Sequence, residues 1–265
     1  MSSSAAGTGE HTRGLGWEVV LVLGVSLGAS AVRSVVSIIE KLTRSVPLGQ
    51  QTTTMNSSYA ADRPWLDLTY QLTGITLELV PVALVAYLVW VRPGPGADGA
   101  DPGPWRRLGC DLSQPWRDGW RGVVVAAAIG IPGLGFYLGA RQLGLNTTVQ
   151  PADLAEHWWT VPVYVLAAFM NGAVEEIIML GYVFWRLRQI GWSWWSVLAT
   201  SALIRGSYHL YQGFGGFAGN VIMGVLFGLL FLRWRRSAPL VVAHTLIDIA
   251  AFVGYALLAD GVSWL

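Results

Sequence analysis

The sequence predicts an all-α fold, a polytopic transmembrane helix bundle of about seven spans. Hydrophobic residues make up 53% of the 265 residues and charged residues only 12%, whereas a soluble domain carries about 25% charged residues. The apolar residues are also concentrated in seven runs, each near the ~20 residues that a helix needs to cross a bilayer. Both observations indicate a membrane protein rather than a soluble domain.

The apolar runs and the segments between them divide the chain. The spans are predicted at 17–39, 65–91, 120–140, 161–185, 193–211, 217–232 and 239–258. The parts of the chain are a disordered tail over 1–16, N-terminal transmembrane helices over 17–91, a Pro/Gly-rich cytoplasmic linker over 92–119, and a larger transmembrane bundle over 120–265. The tail is small and polar, a composition that cannot bury a core.

Arginine residues predict the orientation in the cell membrane. With seven spans, the N-terminus and the even-numbered loops lie on one side and carry eleven arginines, against four basic residues in the odd-numbered loops. Positive residues are enriched on the cytoplasmic side, so we expect a cytoplasmic N-terminus and an external C-terminus. Lysine occurs once and arginine sixteen times, a bias typical of a GC-rich, bacterial genome.

Composition also excludes several classes of site and partner. The single cysteine, Cys110, excludes an internal disulfide framework and a cysteine-rich metal site. The sequence has no basic patch suited to nucleic acid, so a nucleic-acid partner is not expected. The lipid bilayer is the partner that the composition requires.

Two adjacent acids, Glu175 and Glu176, lie inside the fourth span, within the stretch NGAVEEIIMLGY. An ionisable group at that depth costs about 2.5 to 3.5 kcal/mol on insertion scales, so two of them need partners. Adjacent helix residues point ~100° apart, and we therefore expect the two glutamates to face different neighbours. Glycines on the later spans are expected to be close helix contacts: Gly172, Gly181, Gly206 and Gly224.

Three later spans each carry a pair of polar residues four positions apart. Residues at this spacing share one face of a helix. The pairs are Asn171 with Glu175, Arg205 with His209, and His244 with Asp248. If both histidines are protonated, the charges of this set, with Glu176 included, sum to zero. Such a balance reduces the penalty of burying the group inside a bundle.

A further acid, Glu78, lies in the middle of the second span. It has three interpretations: a site residue, a structural acid bonded across helices, or a partner of Arg33. We favour a structural role.

The three polar stripes resemble the motifs of a known family. EEIIMLG, RGSYH and HTLID, in this order, are similar to the motifs of the type II CAAX prenyl endopeptidase and bacteriocin-processing family, the CPBP or Abi intramembrane proteases. That family has two adjacent glutamates, a later helix with FxxxH, and a last helix with HxxxN or HxxxD. The resemblance covers residues 160–258, the last four spans.

The resemblance implies an intramembrane endopeptidase that hydrolyses a peptide bond in a membrane-associated peptide or protein. It implies that Glu175 is the general base, that His209 holds the same water, and that Glu176 fixes the first glutamate. It also implies that His244, oriented by Asp248, stabilises the oxyanion. Asn171 and Arg205 are expected to support the site.

Two positions depart from the family pattern. Leu180 stands where the family has arginine, four residues after the second glutamate, and Arg205 stands where it has phenylalanine. We expect Arg205 to approach Glu176 from the neighbouring helix and to replace the missing arginine. Of the two residues that the family pattern has at the position of Asp248, aspartate adds a negative charge that would favour a protonated His244.

Other functions remain open from the sequence. Buried acids and histidines also form proton relays in transporters, although transporters tend to have paired repeats, and none is evident here. A catalytically inactive membrane scaffold is a further alternative. No cofactor is expected, because the HExxH spacing of zinc proteases is absent; the alternative is Zn²⁺ held by Glu175, His209 and His244.

Overall fold

The computed structural model describes residues 3–93 and 103–258, and it describes side chains from Gly14 onward. The fold is helical, which confirms the predicted class. The helices are α1 (Ser3–Gly24), α2 (Leu27–Leu42), α3 (Pro64–Glu78), α4 (Val80–Val91), α5 (Pro104–Arg107), α6 (Pro115–Gln142), α7 (Thr160–Glu176), α8 (Phe184–Gln189), α9 (Trp194–His209), α10 (Phe214–Trp234) and α11 (Ala238–Leu258). A π-helical segment, Ile177–Val183, joins α7 to α8.

The centre of the bundle is the continuous rod formed by α7, the π-helical segment and α8. This rod spans Thr160–Gln189, and 72% of the residues in its most apolar stretch are buried. The corresponding fraction is 11–28% in the other helices that are long and apolar enough to cross a membrane. Apolar residues that are not buried by the protein require a lipid environment. The rod therefore lies inside a ring of helices whose outer faces contact the membrane.

Each of the seven predicted spans coincides with a helix or a helix pair, but the number of spans is not confirmed. In the described part of the chain, five helices are long and apolar enough to cross a membrane. A sixth span results if α1 and α2, which are bent by 53° at their junction, count as one. The fifth predicted span corresponds to α9, which has only 16 residues.

The N-terminal tail and the linker are partly outside the described residues. Helix α1 covers most of the predicted tail, but the side chains of residues 3–13 are not described, so disorder over 1–16 stays a prediction. Residues 94–102 of the linker also lie outside the described set.

The rest of the linker is attached to the bundle. Helix α6 begins at Pro115, five residues before the predicted span. Arg236, just before α11, pairs with Asp111 at 2.7 Å and with Asp118 at 2.6 Å. The segment after α5 is thereby tied to the turn between α10 and α11.

Two short strands connect the loops at the other end of the bundle. β1 (Thr52–Thr54) pairs in parallel with β2 (Thr148–Gln150). The hydroxyl groups of Thr53 and Thr147 lie 2.7 Å apart beneath this pair. The sequence does not indicate these strands, because three residues are too few to show the two-residue alternation of a strand.

Glycines allow the helices around the site to approach closely, as predicted. A Cβ atom at Gly172 would lie 2.7 Å from the hydroxyl oxygen of Thr245 on α11. A Cβ atom at Gly206 would lie 2.9 Å from the carbonyl oxygen of Phe217 on α10. These contacts bring α7, α9, α10 and α11 together around the two glutamates.

Candidate active site

Glu175 and Glu176 are the last two α-helical residues before the π-helical segment. Their exposed fractions are 8% and 0%. π-helical turns are rare, and they occur frequently at functional sites because they change the direction in which side chains project. Nothing in the sequence indicates this turn.

Glu176 lies between two cationic or ionisable partners from other helices. Arg205 on α9 donates from Nη1 to Glu176 Oε1 at 2.7 Å. His244 on α11 places Nδ1 at 2.7 Å from the same oxygen. The contact that the sequence predicts between Arg205 and Glu176 is therefore present, and both side chains are buried. Because the guanidinium and the carboxylate carry opposite charges in a low-dielectric interior, they attract each other strongly.

Glu175 is bound mainly through one of its two oxygens. Its Oε2 accepts a hydrogen bond from the Tyr208 hydroxyl at 2.8 Å and lies 3.3 Å from Arg205 Nη2. Its Oε1 faces Nε2 of His209 at 3.7 Å. This separation exceeds a direct hydrogen bond, and a water that lies to one side of the pair, at hydrogen-bond distance from each atom, would bridge them.

The expectation that adjacent glutamates cannot share a neighbour is wrong. Arg205 contacts both Glu175 and Glu176, through different terminal nitrogens. The physical reason is the shape of the guanidinium group, a planar fork whose donors reach two carboxylates at once.

His244 is oriented differently from the expectation. The sequence assigns its orientation to Asp248, but His244 Nε2 lies 3.7 Å from Asp248 Oδ1, beyond hydrogen-bond distance. Glu176 provides the short contact instead. Asn171, expected to support Glu175, donates from Nδ2 to Asp248 Oδ2 at 2.9 Å and so connects α7 to α11.

The depth of His244 follows from where α11 begins. The hydroxyl of Ser237 donates to the carbonyl oxygen of Leu108 at 2.7 Å. A Cβ at Gly181 would lie 2.8 Å from that same oxygen. Helix α11 therefore starts level with Gly181 and not with the end of α8, and six residues later His244 reaches the depth of Glu176.

A turn outside the motifs positions His209, the last residue of α9. In the following turn, Leu210–Gln212, the backbone N–H of Tyr211 donates to the Ser34 hydroxyl at 2.6 Å. The Tyr211 carbonyl accepts from Lys41 Nζ at 2.5 Å. Both partners belong to α2, more than 160 residues earlier, so the sequence gives no sign of these contacts.

Several buried polar atoms of this region have no protein hydrogen-bond partner among the described residues. They are Glu176 Oε2, Arg205 Nε, and both ring nitrogens of His209. Buried polar groups in native proteins are nearly always paired, so each exception calls for an explanation. These atoms belong to a larger set of contacting side chains, which we name the site cluster: Glu175, Glu176, Arg205, His209 and His244.

The site cluster gives a poor fit for a divalent cation. Ligand atoms of Glu175, Glu176 and His244 lie within 4.8 Å of one another. Arg205, however, places Nη2 at 3.3 Å from Glu175 Oε2 and 3.2 Å from His244 Nδ1. A metal ion bound to these ligands would lie beside a guanidinium, and the two positive charges would repel each other.

Glu78 takes no part in the site cluster. It is exposed at the end of α3, and among the described residues no ion pair joins it to Arg33, which donates to Ser30 at 3.3 Å.

Tyr208 is the residue of this site that sequence reasoning missed. It lies inside the second motif and three positions after Arg205, on the same helical face. That spacing was the available signal.

Comparison with known proteins supports the resemblance of the motifs. Residues 157–250 match the family model described as type II CAAX prenyl endopeptidase Rce1-like. The matched segment contains all three motifs and therefore every member of the site cluster. The search of curated proteins and the search of solved structures give no match.

Proposed function

Because residues 157–250 match the family model described as type II CAAX prenyl endopeptidase Rce1-like, we propose that this protein is an intramembrane endopeptidase. Its substrate is a membrane-associated peptide or protein, and Glu175 with His209 activates the attacking water. The observation that carries the proposal is the 3.7 Å separation between Glu175 Oε1 and His209 Nε2, inside a buried cluster.

The two oxygens of Glu175 have different tasks in this proposal. Oε2 is engaged by Tyr208 and Arg205, which leaves Oε1 to accept a proton. A water that bridges Oε1 and His209 Nε2 from one side donates one hydrogen to each atom. Its oxygen lone pair then attacks the scissile carbonyl carbon while Glu175 takes the proton as general base.

The attack produces a tetrahedral intermediate with a negative oxygen. His244 has Nδ1 directed at Glu176, and Nε2 is the nitrogen that remains to donate to this oxyanion. Collapse of the intermediate breaks the C–N bond, and Glu175 returns its proton to the leaving amine. Asp248 and Asn171 support the helix face that carries His244.

Glu176 acts through its neighbours in this mechanism. It holds both Arg205 and His244 by contacts of 2.7 Å. The positive charge of Arg205 offsets the two adjacent carboxylates. We therefore assign Glu176 and Arg205 as positioning residues that replace the intrahelical glutamate–arginine pair of the family.

The test compares cleavage by wild type and by Glu175→Gln. The substrates are a library of peptides inserted in detergent micelles, with and without a prenylated cysteine. Mass spectrometry detects the cleavage products. Loss of the general base is expected to lower the rate by about 10²- to 10⁴-fold, without unfolding. Glu78→Gln is the matched control, because it also neutralises a membrane acid, and it should keep the wild-type rate. Equal cleavage by wild type and Glu175→Gln would refute the proposal.

A further inference from the structure

An apolar groove lies between α1 and α9, away from the site cluster. Its volume is about 380 Å³, at the small end of ligand pockets, which span about 300–1,000 Å³. Its walls are almost entirely apolar and include Trp17, Leu23, Leu187, Trp192, Thr200 and Ile204. The groove is partly open, and its apolar walls suit a slender apolar chain.

Two arginines lie beside the mouth of this groove. The guanidinium carbon of Arg188 lies 4.4 Å from the ring centroid of Trp194, and that of Arg235 lies 4.3 Å from the same centroid. The two carbons are therefore no more than 8.7 Å apart, the sum of these distances. Arg188 also donates to the carbonyl oxygen of Trp192, a residue that lines the groove.

These two positive charges are not balanced by protein carboxylates. Among the described residues, neither Arg188 nor Arg235 forms an ion pair with an aspartate or a glutamate; both contact the Trp194 ring instead. Like charges at this separation repel each other. An anion that contacts both groups would remove this repulsion, and a phosphate offers the oxygen acceptors that arginine binds best.

We propose that this groove and arginine pair form a binding site for an anionic phospholipid. One acyl chain occupies the groove between α1 and α9, and the headgroup phosphate contacts Arg188 and Arg235. The neighbouring tryptophans place the mouth of the groove at headgroup level. Basic pockets between transmembrane helices bind anionic lipids in this way.

The inference does not depend on the proposed protease function, because no member of the site cluster lines the groove. It commits to a lipid rather than a soluble anion, since the cationic pair and the apolar groove are adjacent. A ligand that contacts both needs an anionic head and an apolar chain on one molecule.

Native mass spectrometry of the full-length protein in detergent tests this site. The protein is titrated separately with phosphatidylglycerol, with phosphatidylcholine of the same acyl chains, and with inorganic phosphate. We expect phosphatidylglycerol adducts to dominate. Arg188→Ala/Arg235→Ala should weaken them about 30-fold, the effect of two arginines near a membrane phosphate. Equal binding of the two lipids, or binding of inorganic phosphate alone, would overturn the proposal.

Three further variants test the groove and the specificity of the arginines. A Cβ at Gly16, which lines the groove, meets nothing within 4 Å, so Gly16→Leu should fill the groove without a clash and reduce the adduct. Gly24→Leu, equally open but outside the groove, should leave it unchanged. Arg233→Ala removes an exposed arginine two residues before Arg235. If this change weakens binding as much as the double variant does, surface charge alone explains the adduct and the site is refuted.

Discussion

Among the described residues, Arg186 and Arg205 are the most deeply buried arginines, and each pairs with a glutamate. Arg205 has an exposed fraction of 2% and Arg186 of 0%. Arg186 donates from Nε to Glu18 Oε1 at 2.6 Å, and the Tyr182 hydroxyl donates to that oxygen at 2.8 Å. We name Glu18, Tyr182 and Arg186 the anchor cluster; it connects α1 to the π-helical segment and α8.

The two clusters differ in how completely their hydrogen bonds are satisfied. In the anchor cluster, the remaining Arg186 nitrogens donate to the carbonyl oxygens of Leu88 and Arg92 and to Gln189, each at 2.9 Å. Among the described residues, the anchor cluster has no buried polar atom without a partner, whereas the site cluster has four.

This difference indicates two uses of a buried arginine–glutamate ion pair. A fully bonded buried pair fixes the arrangement of helices, because every displacement loses a hydrogen bond. A pair with unsatisfied neighbours retains atoms that can bind a water or a substrate. We therefore expect changes in the anchor cluster to alter stability, and changes in the site cluster to alter catalysis.

The largest effect is expected for Arg205→Leu. This change leaves two buried carboxylates without their shared cation, and breaking a buried pair costs about 3–5 kcal/mol of stability. Catalysis should also fall by about 100-fold or more, because Glu175 loses a contact that orients it. Thermal unfolding and the cleavage rate per folded molecule measure the two effects.

A second substitution makes the Arg205 test specific. Leu180 is buried four residues after Glu176, the position at which the family carries arginine. Adding Leu180→Arg to Arg205→Leu should restore part of the activity by supplying the intrahelical partner. If Arg205→Leu alone is tolerated and Leu180→Arg restores nothing, the exchange of arginines is wrong.

Arg186→Leu is the matched change in the anchor cluster. It leaves Glu18 with Tyr182 and a half-exposed Arg92, at 3.4 Å, as partners. We expect a similar loss of stability, about 3–5 kcal/mol, but a cleavage rate per folded molecule within about twofold of wild type. Replacing both charges, in Arg186→Leu/Glu18→Leu, should recover much of the stability, since an apolar pair needs no desolvation. A catalytic defect in folded Arg186→Leu would end the distinction between the clusters.

The sequence predicts the members of the site better than their contacts. The spacing of Arg205 and His209, and that of His244 and Asp248, placed each pair on one helical face, because helical periodicity is local information. The approach of Arg205 to Glu176 was predictable because a buried acid without its family partner needs another cation. The orientation of His244 was not, since it depends on where α11 begins relative to α7.

Contacts that involve residues outside the motifs could not be predicted. Ser34 and Lys41 hold the turn after His209, yet no local pattern relates them to it. The strands of three residues and the π-helical turn are likewise decided by tertiary packing. In contrast, the all-α class followed from composition alone, because long apolar runs have few alternatives in a bilayer.

A smaller effect is expected for Tyr208→Phe. This change removes only the 2.8 Å hydrogen bond to Glu175 Oε2. A hydrogen bond to a charged group contributes about 1.5–3 kcal/mol, so we expect kcat to fall by about 10- to 100-fold with little change in KM. Tyr211→Phe is the control, since its hydroxyl contacts Met55 and Gln212. Unchanged kcat in Tyr208→Phe would show that Arg205 alone orients Glu175.

Metal removal should have the smallest effect, and it tests why the site cluster has unsatisfied atoms. Arg205 lies within 3.3 Å of Glu175, and a zinc ion at about 2 Å from the same oxygens would face this guanidinium directly. We therefore expect substoichiometric zinc in the purified protein and an unchanged cleavage rate after prolonged chelation. One zinc per chain that is lost in His209→Ala would contradict this expectation. In that case the buried nitrogens of His209 would be ligand atoms, and the contrast with the anchor cluster would reflect a metal centre instead of a water-activating glutamate.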